Sequence, residues 1–336
     1  MLALVLEEFN RLEVLDRDLP SVGADEILIK VAAVGICGSD VHGFTGHNGR
    51  RQPGQVMGHE AAGTVAAGPG FEVGQPVTFN PMITCGTCAA CTADQPQQCP
   101  RRKVIGVDPE ISAAFAEFVA VPRGNVVALP DRMPVQHGAL IEPLAVAFNA
   151  VSRGRIAAGD RVLVVGGGPI GQSCVLAAKA AGATSILVSE PNAGRREVCG
   201  RLGAQTVDPT NVDLAEQVVQ LLGGSADVAI DAVGVTVSLQ GALAGTKVGG
   251  RVVLVGMGRP TLELDAFAVS TMERSLIGSF GYTRTAFATA AAWAGEHPDE
   301  LPALVSSEVP LDQAAAAFAQ LAGTEPAPGK ILVRIA

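Results

Sequence analysis

Along the first 148 residues, apolar and polar positions alternate in short runs separated by glycine turns, which predicts strands. Residues 26–34 (EILIKVAAV) alternate as a half-buried strand does. Residues 58–70 (GHEAAGTVAAGPG) read as an apolar strand bounded by glycines, and residues 115–122 (FAEFVAVP) as a further strand. Helical periods are few here, so we expect an irregular antiparallel barrel closed by glycine-rich turns.

Near residue 150 the pattern changes to buried apolar strands that alternate with helices. RVLVV, SILVSE, DVAIDAVG and RVVLVG predict the strands, and Asp213 with Glu216 stands at capping-box spacing before the helix EQVVQLL. Such alternation is typical of a parallel sheet with helices on both faces. We therefore predict a β-rich domain at 1–148, a doubly wound α/β domain at 149–279, and a tail at 280–336 that packs back on the first domain.

Composition narrows the classes of partner. The formal net charge is −9, which disfavours a nucleic-acid partner. No apolar run reaches transmembrane length and the N-terminus lacks a signal-peptide pattern, so we expect a cytoplasmic protein with no membrane partner. Seven cysteines without a secretion signal fit a reducing compartment.

Four cysteines form the strongest chemical motif of the chain. Cys85, Cys88, Cys91 and Cys99 have the spacing C-x2-C-x2-C-x7-C in a stretch without an apolar period. Four thiolates at such spacing favour a structural zinc, and two disulfides or four thiols without a ligand are the alternatives. An RNA-binding zinc knuckle is disfavoured by the negative charge and by the few basic and aromatic residues near the loop.

A glycine turn joins the strand RVLVV to the helix after it. Its sequence, Gly166-Gly167-Gly168-Pro169-Ile170-Gly171, contains G-x-G-x-x-G in the strand–turn–helix context that dinucleotide binding requires. Gly166 permits the tight turn, Gly168 lets the backbone approach a pyrophosphate, and Gly171 lets helix and strand pack closely. Pro169 suits a first helical turn, where the helix N-terminus attracts phosphates.

The second predicted strand sets the preference between NAD and NADP. Glu190 lies at its end, nineteen residues after Gly171, where an acid can accept both ribose hydroxyls and repel a 2′-phosphate. This position favours NAD over NADP. Arg195 and Arg196 follow, and an arginine there can receive a 2′-phosphate, although a solvated helix face is the alternative for both.

A second metal constellation is predicted at strand ends beside glycines. Cys37 and His59 supply two ligands, whereas a catalytic zinc needs about three protein ligands and an open position. Glu60 and Glu142 are the candidates for the third. Glu142 lies in the apolar stretch LIEPLAVAFNAV, which normally excludes a carboxylate unless it is paired or metal-bound.

Taken together, these segments resemble the zinc-dependent medium-chain dehydrogenases, most of all the sorbitol and 2,3-butanediol dehydrogenase branch. The resemblance extends over nearly the whole chain and rests on GICGSDVHGF, GHEAAGTV, the cysteine loop, FAEFVAVP, IEPLAVAFNAV, VVGGGPIG, VSEP and VGGRVVLVGM. It implies a GroES-like catalytic domain, a Rossmann domain and a cleft between them. It also implies a homodimer or homotetramer, for which the apolar RVVLVGM strand could extend a sheet across a two-fold axis.

The resemblance carries over to individual residues. It implies that Cys37, His59 and Glu60 bind a catalytic zinc, with Glu142 bound directly or through water and Glu60 leaving and rejoining the metal. It implies that the four cysteines bind a structural zinc, so that each subunit has two. Ser39 and His42 match the proton relay. Ala113-Ala114 replaces glycines that the family often has, and Phe44, Phe115 and Phe280 are pocket candidates that could equally be core residues.

The predicted activity is reversible hydride transfer between NAD and a small-molecule secondary alcohol, vicinal diol or polyol, cyclitol-like rings included. Threonine or a primary alcohol is the alternative substrate. A zinc-free reductase of the same superfamily would lack the Cys37 and His59 pair. A non-catalytic NAD- and zinc-binding protein would not need the Ser39 and His42 relay.

Overall fold

A computed structural model describes residues 1–47, 49–111, 113–324 and 326–335. The chain divides into two compact units, one of Met1–Glu142 with Thr283–Ala336 and one of Pro143–Tyr282. Among the described residues, no helix combines the length and the apolar character needed to cross a membrane.

The elements of the described chain follow one another in three stretches. The first contains β1 (Leu2–Glu8), β2 (Arg11–Asp16), β3 (Glu26–Gly35), α1 (Gly38–Phe44), β4 (Gln55–Val56), β5 (Glu60–Ala67), β6 (Pro76–Phe79), β7 (Met82–Ile83), α2 (Ala89–Thr92), β8 (Lys103–Val104), β9 (Phe118–Pro122) and β10 (Val126–Ala128). The second contains α3 (Ile141–Gly154), β11 (Arg161–Val165), α4 (Pro169–Ala180), β12 (Ser185–Ser189), α5 (Ala193–Arg201), β13 (Gln205–Val207), α6 (Leu214–Leu222), β14 (Ala226–Asp231), α7 (Thr236–Gly245), β15 (Thr246–Leu254), α8 (Ala266–Ser270) and β16 (Ser275–Gly278). The third contains α9 (Arg284–Glu296), β17 (Val305–Pro310), α10 (Ala314–Ala322) and β18 (Lys330–Arg334).

The first unit is built on a mostly antiparallel sheet, as its alternating pattern predicts. The strand order is β10-β6-β5-β3-β18-β17, and β9 also pairs with β3. Strand β3 shows why the alternation produces this sheet, because Ile27, Ile29 and Val31 are fully buried on one face. Strand β18, from the end of the chain, pairs antiparallel with β3 and parallel with β17, so the tail completes the first sheet.

The cysteine loop connects two short strands, β7 and β8, that pair with each other. Strands β7 and β8 pair antiparallel, with Met82 opposite Val104 and Ile83 opposite Lys103. The segment between them contains all four cysteines of the motif and only the short helix α2. Asp94 of the loop also accepts the N–H groups of Arg284 and Thr285, at the start of α9. So few contacts constrain so long a loop only weakly, and a metal bound by the thiols would add to them.

The second unit, which is described throughout, is the predicted doubly wound α/β fold. Its six strands are parallel in the order β13-β12-β11-β14-β15-β16, and helices connect them. Asp213 is the N-cap of α6, and its side chain accepts a hydrogen bond from the Glu216 N–H group, as the capping spacing predicts. The RVVLVGM strand cannot extend the sheet across a two-fold axis as suggested above, because β15 pairs with β14 and β16 and the edge strand is β16.

A charged cluster at the start of this sheet gives a stability prediction. The Asp227 carboxylate lies 3.1 Å from Arg161 Nε and 2.6 Å from Lys247 Nζ, and it accepts the Arg161 backbone N–H at 2.9 Å. Burial opposes the charge of Asp227, but the hydrogen bonds from Arg161 and Lys247 prevail and hold its pKa well below the usual range. We expect Asp227→Asn to lower the stability of this unit at neutral pH by about 1 kcal/mol.

Thermal unfolding tests this prediction, and a loss of that size lowers the melting temperature by about 3 °C. Because the folded-state pKa is depressed, the contribution is complete above the unfolded pKa of about 3.9 and disappears as the pH falls through the folded pKa. The difference in melting temperature between Asp227→Asn and wild type should therefore become smaller below about pH 4. Asp18→Asn, at an exposed position, is the matched control. An equal melting temperature for Asp227→Asn and wild type at pH 7 would contradict the role of this cluster.

Candidate metal and cofactor sites

The four loop cysteines converge on one point. Their sulfur atoms all lie within 4.8 Å of one another, with Sγ–Sγ distances of 3.5 Å for Cys88–Cys91, 3.8 Å for Cys85–Cys91 and 3.6 Å for Cys85–Cys99. A disulfide requires about 2.05 Å. Zinc–sulfur bonds of about 2.3 Å in a tetrahedron place sulfurs about 3.8 Å apart. The donor set therefore fits a tetrahedral zinc and does not fit disulfides.

Backbone N–H groups of the loop favour the thiolate form of Cys85, which is the form that binds a metal cation. The N–H groups of Thr87 and Cys88 lower the pKa of Cys85 to about 5, which favours its thiolate at neutral pH. Four sulfur ligands close the coordination sphere, so a zinc held here is structural and has no position for a substrate.

A second donor group forms where β3 ends and β5 begins. Cys37 follows β3, His59 precedes β5, and Glu60 opens β5 opposite Gly35 in the antiparallel register. The ligand atoms of Cys37, His59 and Glu60 lie within 4.8 Å of one another. His59 and Glu60 are buried and Cys37 is half-buried. Three mixed donors in a buried place suit a catalytic zinc, which keeps a coordination position open.

Asp40, which the sequence analysis missed, orients His59 in this group. Its carboxylate is fully buried, lies 3.5 Å from His59 Nδ1, and receives Arg51 Nη2 at 2.9 Å. Because His59 faces Asp40 with Nδ1, its other ring nitrogen, Nε2, is available to bind a metal. Burial opposes both charges, yet the mutual attraction of Asp40 and His59 prevails, so the pKa of His59 lies well above and that of Asp40 below its ordinary value.

Lys330 and Glu142 complete the charged surroundings of this second group. The Lys330 ammonium lies 2.8 Å from Glu60 Oε1 and 2.7 Å from Oε2. Burial opposes its charge, but Glu60 and Cys37 prevail, and with Glu142 they raise the pKa of Lys330. Glu142 lies in the first turn of α3 and outside the group of three donors. In the sequence, the ion pair of Lys330 and Glu60 could have been suspected only because a lysine begins the otherwise apolar stretch KILV.

Ser39 and His42 lie three residues apart on helix α1, so their side chains share one side of that helix. Ser39 is half-buried and His42 is exposed. Because α1 begins directly after Cys37, this side of the helix starts beside the metal donors and ends in solvent. The arrangement is one that a proton relay requires.

The glycine turn in the second unit has room for a phosphate. Gly166 has a φ of +98°, a left-handed conformation that favours glycine. A Cβ on Gly171 would lie 1.8 Å from the Gly166 carbonyl oxygen, so no larger residue fits between the turn and α4. A Cβ on Gly168 would have only Arg195 Nη1 nearby, at 3.9 Å. Pro169 and Ile170 begin α4, whose N-terminal N–H groups can receive an anion.

Glu190 is fixed against this turn. It follows β12, and its carboxylate accepts the Gly167 N–H at 2.7 Å and the Asn192 N–H at 2.8 Å. Arg195 Nη1 lies 4.0 Å from Glu190 Oε2, whereas Arg196 binds the Pro191 carbonyl and Asp208. Both arginines are half-buried, so neither belongs to a fully solvated helix face.

The three phenylalanines proposed for a pocket lie in different environments. Phe44 and Phe115 are buried and pack on Phe318, with ring centroids 5.7 Å and 5.5 Å apart. Both therefore belong to the hydrophobic core of the first unit. Phe280 is 44% exposed.

Comparison with known families and proteins shows the family to which the chain belongs. Residues 23–131 match the alcohol dehydrogenase GroES-like domain, and residues 169–296 match the zinc-binding dehydrogenase family. The chain is 36% identical over 308 residues to 2-dehydro-3-deoxy-L-galactonate 5-dehydrogenase of Pseudoalteromonas atlantica, covering 89% of each chain. It is 37% identical over 264 residues to L-threonine 3-dehydrogenase of Pyrococcus horikoshii, covering 75% of each.

Solved structures give the same picture. A zinc-binding dehydrogenase of Sinorhizobium meliloti 1021, determined with NADP bound, superposes with a TM-score of 0.91 at 32% identity and covers 99% of both chains. The chain therefore belongs to the zinc-dependent medium-chain dehydrogenases. It is an oxidoreductase with a GroES-like domain and a Rossmann domain, as its sequence motifs predict.

Proposed function

We propose that this enzyme transfers hydride reversibly between NAD and a secondary alcohol flanked by a second polar group, giving a ketone. The observation that carries the proposal is the buried donor set of Cys37, His59 and Glu60. A sulfur, an imidazole and a carboxylate within 4.8 Å suit a metal that polarises a substrate oxygen, and the family of this chain is named for zinc.

The residues of the chain divide the work between binding and proton transfer. Cys37, His59 and Glu60 would hold a zinc ion, with Glu142 as a further ligand directly or through water, and Asp40 would orient His59. When bound, the zinc acts as a Lewis acid that lowers the pKa of a substrate hydroxyl by several units, and NAD accepts the hydride. Ser39 takes the hydroxyl proton, and His42 passes it to solvent.

The surroundings of the glycine turn support NAD rather than NADP. Each Glu190 oxygen accepts one backbone N–H and has a further lone pair for a ribose hydroxyl. The fixed carboxylate would repel a 2′-phosphate. Arg195, beside Gly168, is assigned to the pyrophosphate, which explains an arginine at the turn without NADP. Because a similar structure was determined with NADP bound, the preference of this chain for NAD over NADP has to be measured directly.

The two relatives support the proposed substrate class. The names of the two relatives, 2-dehydro-3-deoxy-L-galactonate 5-dehydrogenase and L-threonine 3-dehydrogenase, each denote oxidation at a secondary carbon whose neighbour carries a second heteroatom. Vicinal diols, polyols and sugar acids share that feature, and they fit the proposed activity best. Threonine itself is the alternative substrate.

A homo-oligomer is proposed from the edge of the second sheet. Within the described residues, β16 pairs only with β15, and Leu276 of this strand is 39% exposed. Pairing of two β16 strands would satisfy this edge, which supports a homodimer or a homotetramer. Thiolate metal ligands in turn support a reducing, cytoplasmic location.

Zinc analysis and initial rates test the proposed function together. The purified protein is expected to contain two zinc ions per subunit. It should reduce NAD with a vicinal diol, polyol or sugar acid about tenfold faster than it reduces NADP, a difference of about 1.4 kcal/mol. Protein with two zinc ions that reduces neither cofactor with any of these substrates would contradict the proposal, and a rate confined to threonine would select the alternative.

A further inference from the structure

A lysine is buried against one of the predicted ligands of the catalytic metal. Lys330 opens strand β18, and its side chain is 3% exposed. Lysine is almost never fully buried without a partner, because its charge loses water. Its ammonium contacts both oxygens of Glu60, at 2.8 Å and 2.7 Å, and donates to the Ile36 carbonyl at 3.2 Å.

The backbone leaves a space of matching shape for this pair. Gly35 stands opposite Glu60 in the β3–β5 register. A Cβ on Gly35 would lie 2.4 Å from Glu60 Oε2 and 3.3 Å from Lys330 Cδ. Any larger residue at position 35 would therefore displace the carboxylate or the lysine. The close approach of two strands and a tail strand thus fixes where the Glu60 carboxylate lies.

The same carboxylate is also one of the three donors within 4.8 Å of one another. A metal ion and the ammonium must therefore share the two oxygens of Glu60. The two cations repel each other, and each contact with one weakens the hold of the other. A catalytic zinc needs a coordination position for its substrate, and Cys37, His59, Glu60 and Glu142 together would fill all four positions if Glu60 were bound permanently.

We propose that Lys330 is a positioning residue that holds back the Glu60 carboxylate, weakens its bond to the catalytic metal and so keeps a coordination position exchangeable. This inference rests on the proposed function, because it assumes that Cys37, His59 and Glu60 bind the metal. Lys330 lies 270 positions after Glu60 in the sequence. Through this residue the C-terminal strand β18 contributes to the site.

Lys330→Met removes the cation and leaves the carboxylate to the metal. We expect this variant to hold the catalytic zinc about tenfold more tightly than wild type, since groups around metal ligands change affinity by about ten- to a hundredfold. Zinc removal by a chromophoric chelator, with both sites followed separately, gives the affinity. In cobalt-exchanged protein, the visible absorption of the catalytic site should shift as the carboxylate becomes a permanent ligand.

Three further variants separate this role from a structural one. Lys330→Arg keeps the charge and should restore the zinc affinity and cobalt spectrum toward wild type. In Lys330→Met/Glu60→Gln the tightening should vanish, because no carboxylate remains. Arg334→Met, at the exposed end of β18, should leave zinc affinity unchanged.

The thermal readout distinguishes the cases even if the variant folds poorly without metal. A Glu60 carboxylate without its ammonium is a buried unpaired charge unless a metal binds it. Zinc should therefore raise the melting temperature of Lys330→Met more than that of wild type. Weaker or equal zinc affinity, with an unchanged cobalt spectrum in Lys330→Met, would overturn the proposal. Because affinity and spectra require no turnover, a wild-type enzyme inactive on every alcohol would refute the proposed function without deciding the role of Lys330.

Discussion

Cys37→Ala is expected to reduce turnover about a thousandfold and to lower the zinc content from two ions per subunit to one. The thiolate is one of three protein donors at the catalytic site, and the remaining pair, His59 and Glu60, cannot retain zinc at the affinity that catalysis requires. Lewis-acid assistance contributes several kcal/mol, and about 4 kcal/mol corresponds to a factor of about a thousand. Steady-state rates with NAD and metal analysis of the same preparation measure both effects.

Cys174→Ala is the matched control for this substitution. Burial raises the pKa of the Cys174 thiol to about 12, so it is a core thiol rather than a metal ligand. This variant should retain two zinc ions. Two zinc ions in Cys37→Ala as well would show that Cys37 does not bind metal and would leave the catalytic site unassigned.

Cys99→Ala is expected to reduce stability strongly and to remove the zinc of the cysteine loop, whereas the zinc of the catalytic site remains. The four sulfurs hold a loop that is otherwise tied down by the short β7–β8 pair and by the hydrogen bonds of Asp94 to the start of α9. Loss of a structural metal belongs to the most damaging class of substitution, at about 4 kcal/mol. We expect the melting temperature to fall by about 10 °C, and protease to cut between residues 84 and 103.

Gln98→Ala, at the exposed neighbouring position, is the control and should behave as wild type. Cobalt exchange shows which site is lost, because a site with four thiolates and a site with one differ in their sulfur-to-cobalt absorption. A Cys99→Ala protein with wild-type melting behaviour and two zinc ions would exclude a structural metal in the loop.

Local patterns predicted most of the fold. The alternation at residues 26–34 gave strand β3, and the strand–turn–helix sequence around Gly166–Gly171 gave β11 and α4. Such features depend on neighbours within a few residues, so period and turn chemistry are enough to predict them. The suggestion that RVVLVGM pairs across a two-fold axis was wrong, because nothing in the apolar sequence of β15 indicates that the shorter β16 pairs beside it.

The surroundings of the predicted metal ligands could not be found in this way. Asp40 and Arg51 are separated by eleven positions, and Lys330 lies 270 positions from Glu60. Each is an ordinary charged residue until folding buries it. Burial gives such a residue its importance, because a charge removed from water needs a partner, and that partner is chosen by strand register rather than by sequence distance.

By itself, the sequence determined the donor types and the local frames of this enzyme: four cysteines at zinc spacing, a glycine turn between strand and helix, and Cys37 and His59 at strand ends. Those properties depend on residue chemistry and on short-range backbone geometry. Only the tertiary structure decided that the loop sulfurs lie 3.5–3.8 Å apart, as a tetrahedral metal and not a disulfide requires. It alone decided which cation shares Glu60 with the metal site, because that contact exists only when β3, β5 and β18 lie side by side.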